Sequence, residues 1–267
     1  MFGDYIDRWQ LTPDGDSIVT RTSRLLPVRW QHRAAMLKIA IDAEEKLGNE
    51  LMAWWDGQGV PLVLAREGPA ILLERAEGKH SLSRLVQLGR DDEATRIICE
   101  IVAKLHVAKS RPVPDLVPLT QWFQELAHSA AVHGGILPVA AATAHALLSA
   151  PREISVLHGD IHHDNILHFG ERGWLAIDPK GLTGERGFDY ANLFCNPDRA
   201  TATDPVCFQR RIEVVAEAAG LDRKRLVQWV LAWAGLSAAW LLKDRISSET
   251  PLGVAKLAAA ELDRSNI

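Results

Sequence analysis

Cysteine is scarce in this chain, and long hydrophobic runs are absent. The three cysteines, Cys99, Cys195 and Cys207, are odd in number and far apart, which argues against a disulfide framework and favours a reducing compartment. Nowhere do about eighteen apolar residues follow one another, so the sequence predicts no transmembrane helix. The N-terminus contains Asp4 and Asp7 and no apolar core, which argues against a signal peptide. We therefore expect a cytoplasmic protein without a membrane partner.

No charge of either sign dominates the sequence. The 34 acidic and 30 basic residues give a formal net charge of −4. This balance argues against a nucleic-acid partner and is compatible with a small cationic ligand. Nothing in the sequence indicates an obligate protein partner. With 267 residues and 47% hydrophobic content, the chain can bury the core of one large domain or of two lobes.

The most informative segment is 158–165, His-Gly-Asp-Ile-His-His-Asp-Asn, which is followed by a short apolar strand that ends at Asp178. Kinase-type phosphoryl transfer uses a carboxylate beside the attacking hydroxyl, an amide oxygen on one metal ion and a second carboxylate that bridges the metals on the nucleotide. Asp160, Asn165 and Asp178 can supply these three groups. The spacing of Asp160 and Asn165 is that of the protein-kinase catalytic loop. The pattern predicts Asp160 as the catalytic base, with Asn165 and Asp178 as Mg²⁺ ligands.

Two departures from the protein-kinase pattern narrow the class of kinase. Gly159 stands where protein kinases have an arginine, and Ile-Asp-Pro at 177–179 replaces Asp-Phe-Gly. In many protein kinases that arginine binds a phosphorylated activation loop. Its absence favours a constitutively organised kinase of small molecules.

From His158 onward the sequence resembles the aminoglycoside phosphotransferase superfamily, whose members share the protein-kinase fold. Further stretches look like its streptomycin 6-phosphotransferase branch, which is grouped with hydroxyurea phosphotransferases and described as aminoglycoside/hydroxyurea antibiotic resistance kinases. The resemblance spans nearly the whole chain and implies ATP and Mg²⁺ as cofactors, with GTP left open. The stretches that carry it are Ala-Trp-Trp-Asp-Gly-Gln-Gly at 53–59, Gly-Trp-Leu-Ala-Ile-Asp-Pro at 173–179, Gly-Glu-Arg at 184–186, Phe-Asp-Tyr-Ala-Asn at 188–192 and Gly-Leu-Ser-Ala-Ala-Trp at 235–240.

The expected fold is α+β, a protein-kinase-like bilobal architecture. Residues 1–78 would form a small N-terminal lobe with an antiparallel β-sheet and one main helix, and 79–267 a larger, mostly helical C-terminal lobe. Glu77-Gly78-Lys79 marks the expected crossing between the lobes. The segments 9–11 and 17–22 flank the turn-rich 13–16 and are expected to form a hairpin.

The remaining elements follow from hydrophobic spacing. Further strands are expected at 25–30, 34–40, 60–65 and 70–76. Helical spacing occurs at 43–55, 91–106, 119–131, 138–150, 204–219, 222–242 and 251–262.

Lys38 lies on the second apolar run after the expected hairpin, where kinases carry a lysine that contacts the α and β phosphates. It should pair with a glutamate of helix 43–55. Glu45 is our choice because its place three residues before Gly48 resembles the related enzymes, and Glu44 and Glu50 remain open.

The resemblance also implies where the rest of the nucleotide binds. The backbone of Glu74 and Ala76 would hydrogen-bond the adenine. Because no Gly-x-Gly-x-x-Gly stands near the N-terminus, a loop at 20–24 would cover the phosphates, and Ser23 is the candidate phosphate contact, against the alternative of an exposed turn serine.

Two residues are expected to support the catalytic loop. His158 would hold it through hydrogen bonds, and Asp189 resembles a family residue that braces its backbone. The alternative, a zinc site built from His158 and the nearby His162, His163 and His168, has no matching ligand spacing and no supporting cysteine.

These inferences together predict an ATP- and Mg²⁺-dependent phosphotransferase that acts on a hydroxyl of streptomycin, at position 6, and so confers antibiotic resistance. Because streptomycin carries guanidinium groups, we expect an acidic rim, with Glu185, Asp198 and Glu217 as candidate contacts. The alternatives are the same chemistry on hydroxyurea or another small alcohol, and a catalytically dead relative that only binds. Retention of Asp160 and Lys38 argues against the latter.

Overall fold

A computed structural model describes residues 2–78 and 80–264. The upper lobe is built around one antiparallel sheet and a helix that follows its central strand. Its elements are α1 (Gly3–Trp9), β1 (Thr12–Pro13), β2 (Ile18–Val19), β3 (Ser23–Trp30), β4 (Arg33–Ala40), α2 (Ala43–Trp55), β5 (Val63–Glu67) and β6 (Ala70–Glu74).

Strand β4 lies at the centre of this sheet, whose order is β1-β3-β4-β6-β5, with β2 also paired to β3. The alternating residues Leu26 and Val28 on β3 and Leu37 on β4 are buried on one face, which α1 covers with Tyr5 and Trp9. Side chains alternate between the two faces of a strand, so Lys38 belongs to the opposite face. The sheet thereby presents this lysine to α2 and to the interior between the lobes.

The expected hairpin between 9–11 and 17–22 is wrong. Trp9 ends a helix, and β1 and β2 each pair with β3 instead of with each other. The turn-rich segment between them is held against β3, because the backbone N–H of Asp14 donates to the carbonyl of Pro27 at 2.9 Å. The eight residues of β3 give enough length for both short strands.

The lower lobe is mostly helical, and the long helices that periodicity predicted are present, with 119–131 interrupted at Phe123. Its helices are α3 (Leu82–Gln87), α4 (Asp91–Leu105), α5 (Leu119–Trp122), α6 (Gln124–His133), α7 (Leu137–Ser149), α8 (Arg199–Ala202), α9 (Pro205–Ala219), α10 (Arg223–Lys243) and α11 (Glu249–Arg264). Its strands are β7 (Val117–Pro118), β8 (Ile154–Leu157), β9 (Ile166–His168), β10 (Trp174–Ala176) and β11 (Leu182–Glu185).

Helix α10 is the core of this lobe. It is long and apolar enough to span a membrane by length and composition, with a mean hydropathy of 1.3, but 67% of that stretch is buried in the protein. Helices α6, α7 and α11 pack against it. Because a surface helix is apolar on one side only, the nearly all-round apolar character of α10 is that of a helix enclosed by others.

The segment that crosses from β6 to the lower lobe contacts that lobe at once, since the backbone N–H of Gly78 donates to the carbonyl of His168 at 3.3 Å. Lys79, the last residue of the expected crossing, lies outside the described residues. The boundary near residue 78 stays a prediction.

Candidate active site

The segment 158–165 connects β8 to β9, and His158 fixes its start. This histidine is buried, and its ring stacks on Trp55 with 6.2 Å between the ring centroids. Burial lowers the pKa of the His158 imidazole, so the ring is neutral at neutral pH. A neutral ring can donate from Nε2 to the carbonyl of Ile177 (2.9 Å) and accept at Nδ1 from the backbone N–H of Asp160 (3.2 Å). Protonation would remove the acceptor at Nδ1. The neutral His158 ring therefore positions the loop through these two hydrogen bonds.

Asp189 holds the same loop from below. Its carboxylate accepts the backbone N–H groups of His158 (2.9 Å) and Gly159 (2.8 Å) and also contacts Nε2 of His106 (2.8 Å). Asp189 is buried, and charge-assisted hydrogen bonds compensate for the cost of placing a carboxylate there. His158 and Asp189 thus both accept hydrogen bonds from the backbone of this loop.

Gly159 is required by the shape of the loop. Its φ is +86°, which favours glycine, and a Cβ there would lie 2.7 Å from Cδ1 of Leu182 and 3.1 Å from Cβ of Lys180. The arginine that protein kinases carry at this position would therefore not fit.

Asp160 faces the cleft between the lobes and is oriented by two amide side chains. Nδ2 of Asn192 donates to Oδ1 at 2.9 Å, and Nδ2 of Asn165 donates to Oδ2 at 3.2 Å. Because Asn165 uses its amide nitrogen here, its amide oxygen remains the atom that can bind a cation. Asn192 was not singled out from the sequence, although it lies within the family-like stretch 188–192.

Lys38, Glu45 and Asp178 come together between the sheet, α2 and the end of β10. The ammonium group of Lys38 forms ion pairs with both carboxylates, and Lys38 and Glu45 are buried. The hydroxyl of Thr22 donates to Glu45 at 2.9 Å. Burial alone would raise the pKa of Asp178, but Lys38 and the nearby Lys180 outweigh it and hold that pKa below its usual value.

The three glutamates considered as partners of Lys38 point in different directions from α2. Glu45 is buried against Lys38, Glu50 is exposed, and Glu44 lies 3.5 Å from Nζ of Lys180. The side chain of Asp42 caps α2 by accepting the backbone N–H of Glu45 at 2.9 Å, which sets the start of the helix.

Lys180 is a charged residue of this site that sequence reasoning missed. Its Nζ lies 3.5 Å from Oδ2 of Asp178 and 3.9 Å from Oδ2 of Asp160. Burial would lower the pKa of Lys180, but the carboxylates of Asp178, Asp160 and Glu44 raise it above its ordinary value. The available signal was a lysine directly after Ile-Asp-Pro, two residues beyond the expected metal ligand.

A cleft beside Asp160 and Lys180 has a volume of about 1080 Å³. Its upper wall includes Thr20, Arg21, Thr22 and Glu44. Its lower wall is partly aromatic and partly polar. The lining there includes Gln121, Trp122, Gln124, Asn192, Asn196, Trp233, Ser237, Trp240, Lys243 and Asp244.

Ser23 does not line this cleft. It is buried at the start of β3, its hydroxyl lies 3.1 Å from Oγ1 of Thr20, and its backbone N–H donates to the same oxygen at 2.9 Å. Neighbouring Thr20, Arg21 and Thr22 line the cleft instead. The side chain of Ser23 is thus turned into the loop, and its role as the phosphate contact of the loop 20–24 stays a prediction.

Glu74 and Ala76 lie where β6 ends and the crossing begins. The backbone N–H of Glu74 donates to the carbonyl of Leu62 at 3.0 Å, and the Glu74 carboxylate pairs with Arg172. That backbone N–H is thus already bonded to the protein.

The three carboxylates proposed for the acidic rim, Glu185, Asp198 and Glu217, do not line this cleft. Glu185 is buried and bound to Arg225 (2.6 Å) and to Nε1 of Trp229 (2.8 Å). Asp198 caps α8 by accepting the backbone N–H of Thr201, and Glu217 pairs with Arg96 on the surface. Acidic side chains that line the cleft are Glu44, Asp160 and Asp244.

The sequence of this chain is similar to those of known antibiotic kinases. Residues 8–245 match the family model of aminoglycoside/hydroxyurea antibiotic resistance kinases. A streptomycin 3''-kinase of Klebsiella pneumoniae is 49% identical over 244 residues, 90% of this chain and 91% of the relative. A streptomycin 6-kinase of Streptomyces griseus is 30% identical over 94% of this chain and 85% of the relative.

Among solved structures, aminoglycoside phosphotransferase APH(4)-Ia in a ternary complex with AMP-PNP and hygromycin B superposes with a TM-score of 0.70. It covers 98% of both chains at 14% identity. At that identity the likeness shows the fold, and it confirms the α+β, protein-kinase-like architecture expected from the sequence. Because the family model matches residues 8–245, most of the sequence, this chain belongs to the aminoglycoside/hydroxyurea antibiotic resistance kinases.

Proposed function

We propose that this kinase transfers the γ-phosphoryl group of ATP to a hydroxyl group of streptomycin, with Mg²⁺ as the metal. The observation that carries the proposal is that Asp160 lines the cleft and is bonded to Asn165, while Lys180 joins it to Asp178, the partner of Lys38. A carboxylate for the acceptor and a lysine-paired carboxylate for the nucleotide are the parts that phosphoryl transfer requires.

Asp160 is the proposed base. The hydrogen bonds from Asn165 and Asn192 fix the direction of its carboxylate, so that it orients the acceptor hydroxyl and takes its proton. The leaving group is ADP, and no covalent enzyme intermediate is needed.

Asn165 and Asp178 fit Mg²⁺ because both offer oxygen donors and the pKa of Asp178 is lowered, which keeps it ionised. Among residues 2–78 and 80–264, no three His, Cys, Asp or Glu side chains form a metal cage. Mg²⁺ suits such a site, since it is held by one or two protein ligands together with the substrate phosphates. Bound there, it would neutralise charge on the β and γ phosphates.

The nucleotide is proposed to lie along the underside of the sheet. Lys38 would contact the α and β phosphates while Glu45 keeps it in place. The N–H of Glu74 is bonded to Leu62, which leaves its carbonyl and the N–H of Ala76 as the candidate adenine partners.

The acceptor side of the cleft suits a cationic molecule with several polar groups. Trp122 and Trp240 offer ring faces or edges to guanidinium groups, and Glu44 and Asp244 offer carboxylates. The relative at 49% identity acts on the 3'' position and the relative at 30% on position 6. We therefore favour the 3''-hydroxyl over the 6-hydroxyl expected from the sequence.

The test is steady-state turnover with Mg²⁺-ATP and, in parallel, Mg²⁺-GTP across streptomycin, other aminoglycosides and hydroxyurea. We expect streptomycin to give the highest kcat/KM. Turnover with hydroxyurea but not with streptomycin would show that the proposed acceptor is wrong and leave the proposed mechanism intact. No turnover with any acceptor would contradict the proposal.

A cytoplasmic location is part of the proposal. Cys99, Cys195 and Cys207 are free thiols, as expected for a protein of a reducing compartment. ATP is also available there.

A further inference from the structure

We propose that Lys180 is a further catalytic residue, whose ammonium group binds the phosphoryl group while it moves from the nucleotide to the acceptor. This inference rests on the proposed function, since it assigns a role within the same transfer step. It gives the site a second lysine with a task different from that of Lys38.

The position of Lys180 marks the path of the phosphoryl group. Asp160 defines where the acceptor hydroxyl lies, and Asp178 defines where the metal-bound phosphates lie. Nζ of Lys180 is 3.9 Å from the first carboxylate and 3.5 Å from the second. Lys38, by contrast, pairs with Asp178 and Glu45, so it lies on the nucleotide side. Lys180 therefore places a positive charge between donor and acceptor.

The backbone of Lys180 is fixed to the catalytic loop. Its N–H donates to the carbonyl of His158 at 2.7 Å. The next residue, Gly181, has φ of +71°, and a Cβ there would lie 2.5 Å from Cγ of Leu47 on α2. Because both sides are anchored, the side chain starts from a defined point and needs only rotamer changes to follow the reacting group.

The charge of Lys180 suits the task. The side chain is 18% exposed, and its Nζ lies 3.5 Å from Glu44, 3.5 Å from Asp178 and 3.9 Å from Asp160. In the transition state, negative charge spreads over the three equatorial oxygens of the phosphoryl group. An ammonium group stabilises this negative charge more strongly in a mostly buried site than it would in water.

The chemical step balances without any further reactant. The bond between the γ-phosphorus and the bridging oxygen breaks and leaves ADP, while a bond forms between that phosphorus and the acceptor oxygen. The acceptor proton goes to Asp160. Lys180 keeps all its protons and donates a hydrogen bond to an equatorial oxygen throughout.

A purely structural role is the competing explanation, in which Lys180 only neutralises Asp160, Asp178 and Glu44. The two roles differ in what they affect. A counter-ion supports folding and the ground-state complex, whereas a catalytic cation binds the transition state more tightly than the ground state.

The experiment compares the wild type with Lys180→Met and Lys180→Arg. We measure kcat and KM for ATP, and the binding of Mg²⁺-ADP with and without aluminium fluoride, a mimic of the phosphoryl group in transit. For Lys180→Met we expect a kcat lower by about 10²- to 10³-fold, as for loss of one charge-stabilising donor, with KM for ATP within about threefold. Aluminium fluoride should strengthen ADP binding far less than in the wild type. Lys180→Arg should recover part of both losses.

Two controls complete the test. Lys46→Met removes an exposed lysine of α2 and should change neither readout. The melting temperature of each variant reports folding. A kcat of Lys180→Met within about threefold of the wild type, or an equal loss of ADP binding with and without aluminium fluoride, would overturn the inference.

The failure of this inference is separable from failure of the proposed function. The ADP and aluminium fluoride measurement needs no antibiotic. If the wild type phosphorylates none of the aminoglycosides, the acceptor is wrong, and the aluminium fluoride effect in Lys180→Met still decides the role of Lys180.

Discussion

At the residue scale, the candidate active site is a set of charges that hold one another in place. Lys38 is buried between Glu45 and Asp178, and Lys180 contacts Asp178 and Asp160. Each buried charge thus has a partner of opposite sign, which offsets the cost of removing it from water. Removing any one of these groups would leave another uncompensated, so single substitutions here should affect both activity and folding.

His163 is a buried residue of the catalytic loop that the proposed mechanism does not use. Among the residues that the structure describes, neither of its ring nitrogens has a hydrogen-bond partner. Burial, together with the charge of Arg211, lowers the pKa of His163 to about 3 from 6.5. The folded protein therefore keeps this ring neutral over a range of pH in which the unfolded chain binds a proton.

This difference predicts how stability depends on pH. Since the folded pKa is depressed, the contribution of His163 is fully present above pH 6.5 and is lost as the pH falls towards 3. His163→Leu, which cannot titrate, should reduce the slope of unfolding free energy against pH by about 1.4 kcal/mol per pH unit in that window. Urea unfolding at several pH values measures it. His145→Leu, at an exposed position, is the control for loss of a surface imidazole, and an unchanged slope in His163→Leu would contradict the assignment.

At this scale the sequence predicted the residues that a fixed motif contains. Asp160 and Asn165 are tied by their spacing, and Asp178 by the strand before it. Glu185 could not be judged in this way, because its role depends on Arg225, which is distant in sequence and close only after folding. An acidic residue looks the same in a sequence whether it binds a ligand or a buried arginine.

At the element scale, α2 connects Lys38 of the upper sheet to the segment after β10. Gly48 of α2 packs on the backbone of that segment, where a Cβ would lie 2.3 Å from the carbonyl oxygen of Pro179. Glu45 lies one turn earlier on the same helix. The close approach of helix and segment therefore brings Glu45 and Asp178 to the same lysine.

Substitution of Gly48 tests this packing. Alanine normally favours a helix, but here its methyl group would collide with backbone and move α2 away from Pro179. We expect Gly48→Ala to lower the unfolding free energy by about 1–3 kcal/mol and to raise KM for ATP. Denaturant unfolding and steady-state kinetics measure the two effects. Gly3→Ala, at a helical glycine with open space around it, is the matched control, and equal behaviour of the two variants would refute the packing argument.

Periodicity was enough to predict the long helices, but not the short helices α1, α3 and α8 or the pairing of the short strands. The buried stripe of α4 is visible in the sequence, because a helix satisfies its backbone hydrogen bonds within itself. A strand needs a partner, and the turn-like 13–16 gives no information that β1 and β2 would both pair with β3. The error is therefore one of tertiary pairing.

At the scale of the whole molecule, the cleft is formed by both lobes. Thr22 and Glu44 come from the upper lobe, and Asp160, Trp233 and Trp240 from the lower one. A ligand that contacts both walls links the lobes and should stabilise the protein as a unit. The shape of this cleft was beyond sequence reasoning, since its tryptophans occupy helical positions that are equally suited to a core.

Metal removal tests the linkage between the lobes. At a hundredfold excess over Kd, Mg²⁺-ATP should stabilise the folded protein by about 2.7 kcal/mol. With EDTA present, or in Asp178→Asn, most of this gain should disappear, because the proposed metal ligand no longer holds the phosphates. Thermal unfolding with and without nucleotide measures it. Equal stabilisation by ATP with and without Mg²⁺ would contradict the proposed role of Asp178.

The most direct test of the central claim is the identity of the product. Streptomycin is incubated with Mg²⁺-ATP and either the wild type or Asp160→Asn, and the antibiotic is analysed by mass spectrometry and by phosphorus–proton correlation NMR. We predict one added phosphate on the 3''-oxygen with the wild type, and at least about 10²-fold slower formation with the variant. Streptomycin that stays unmodified by the wild type, or equal rates for both proteins, would contradict the account.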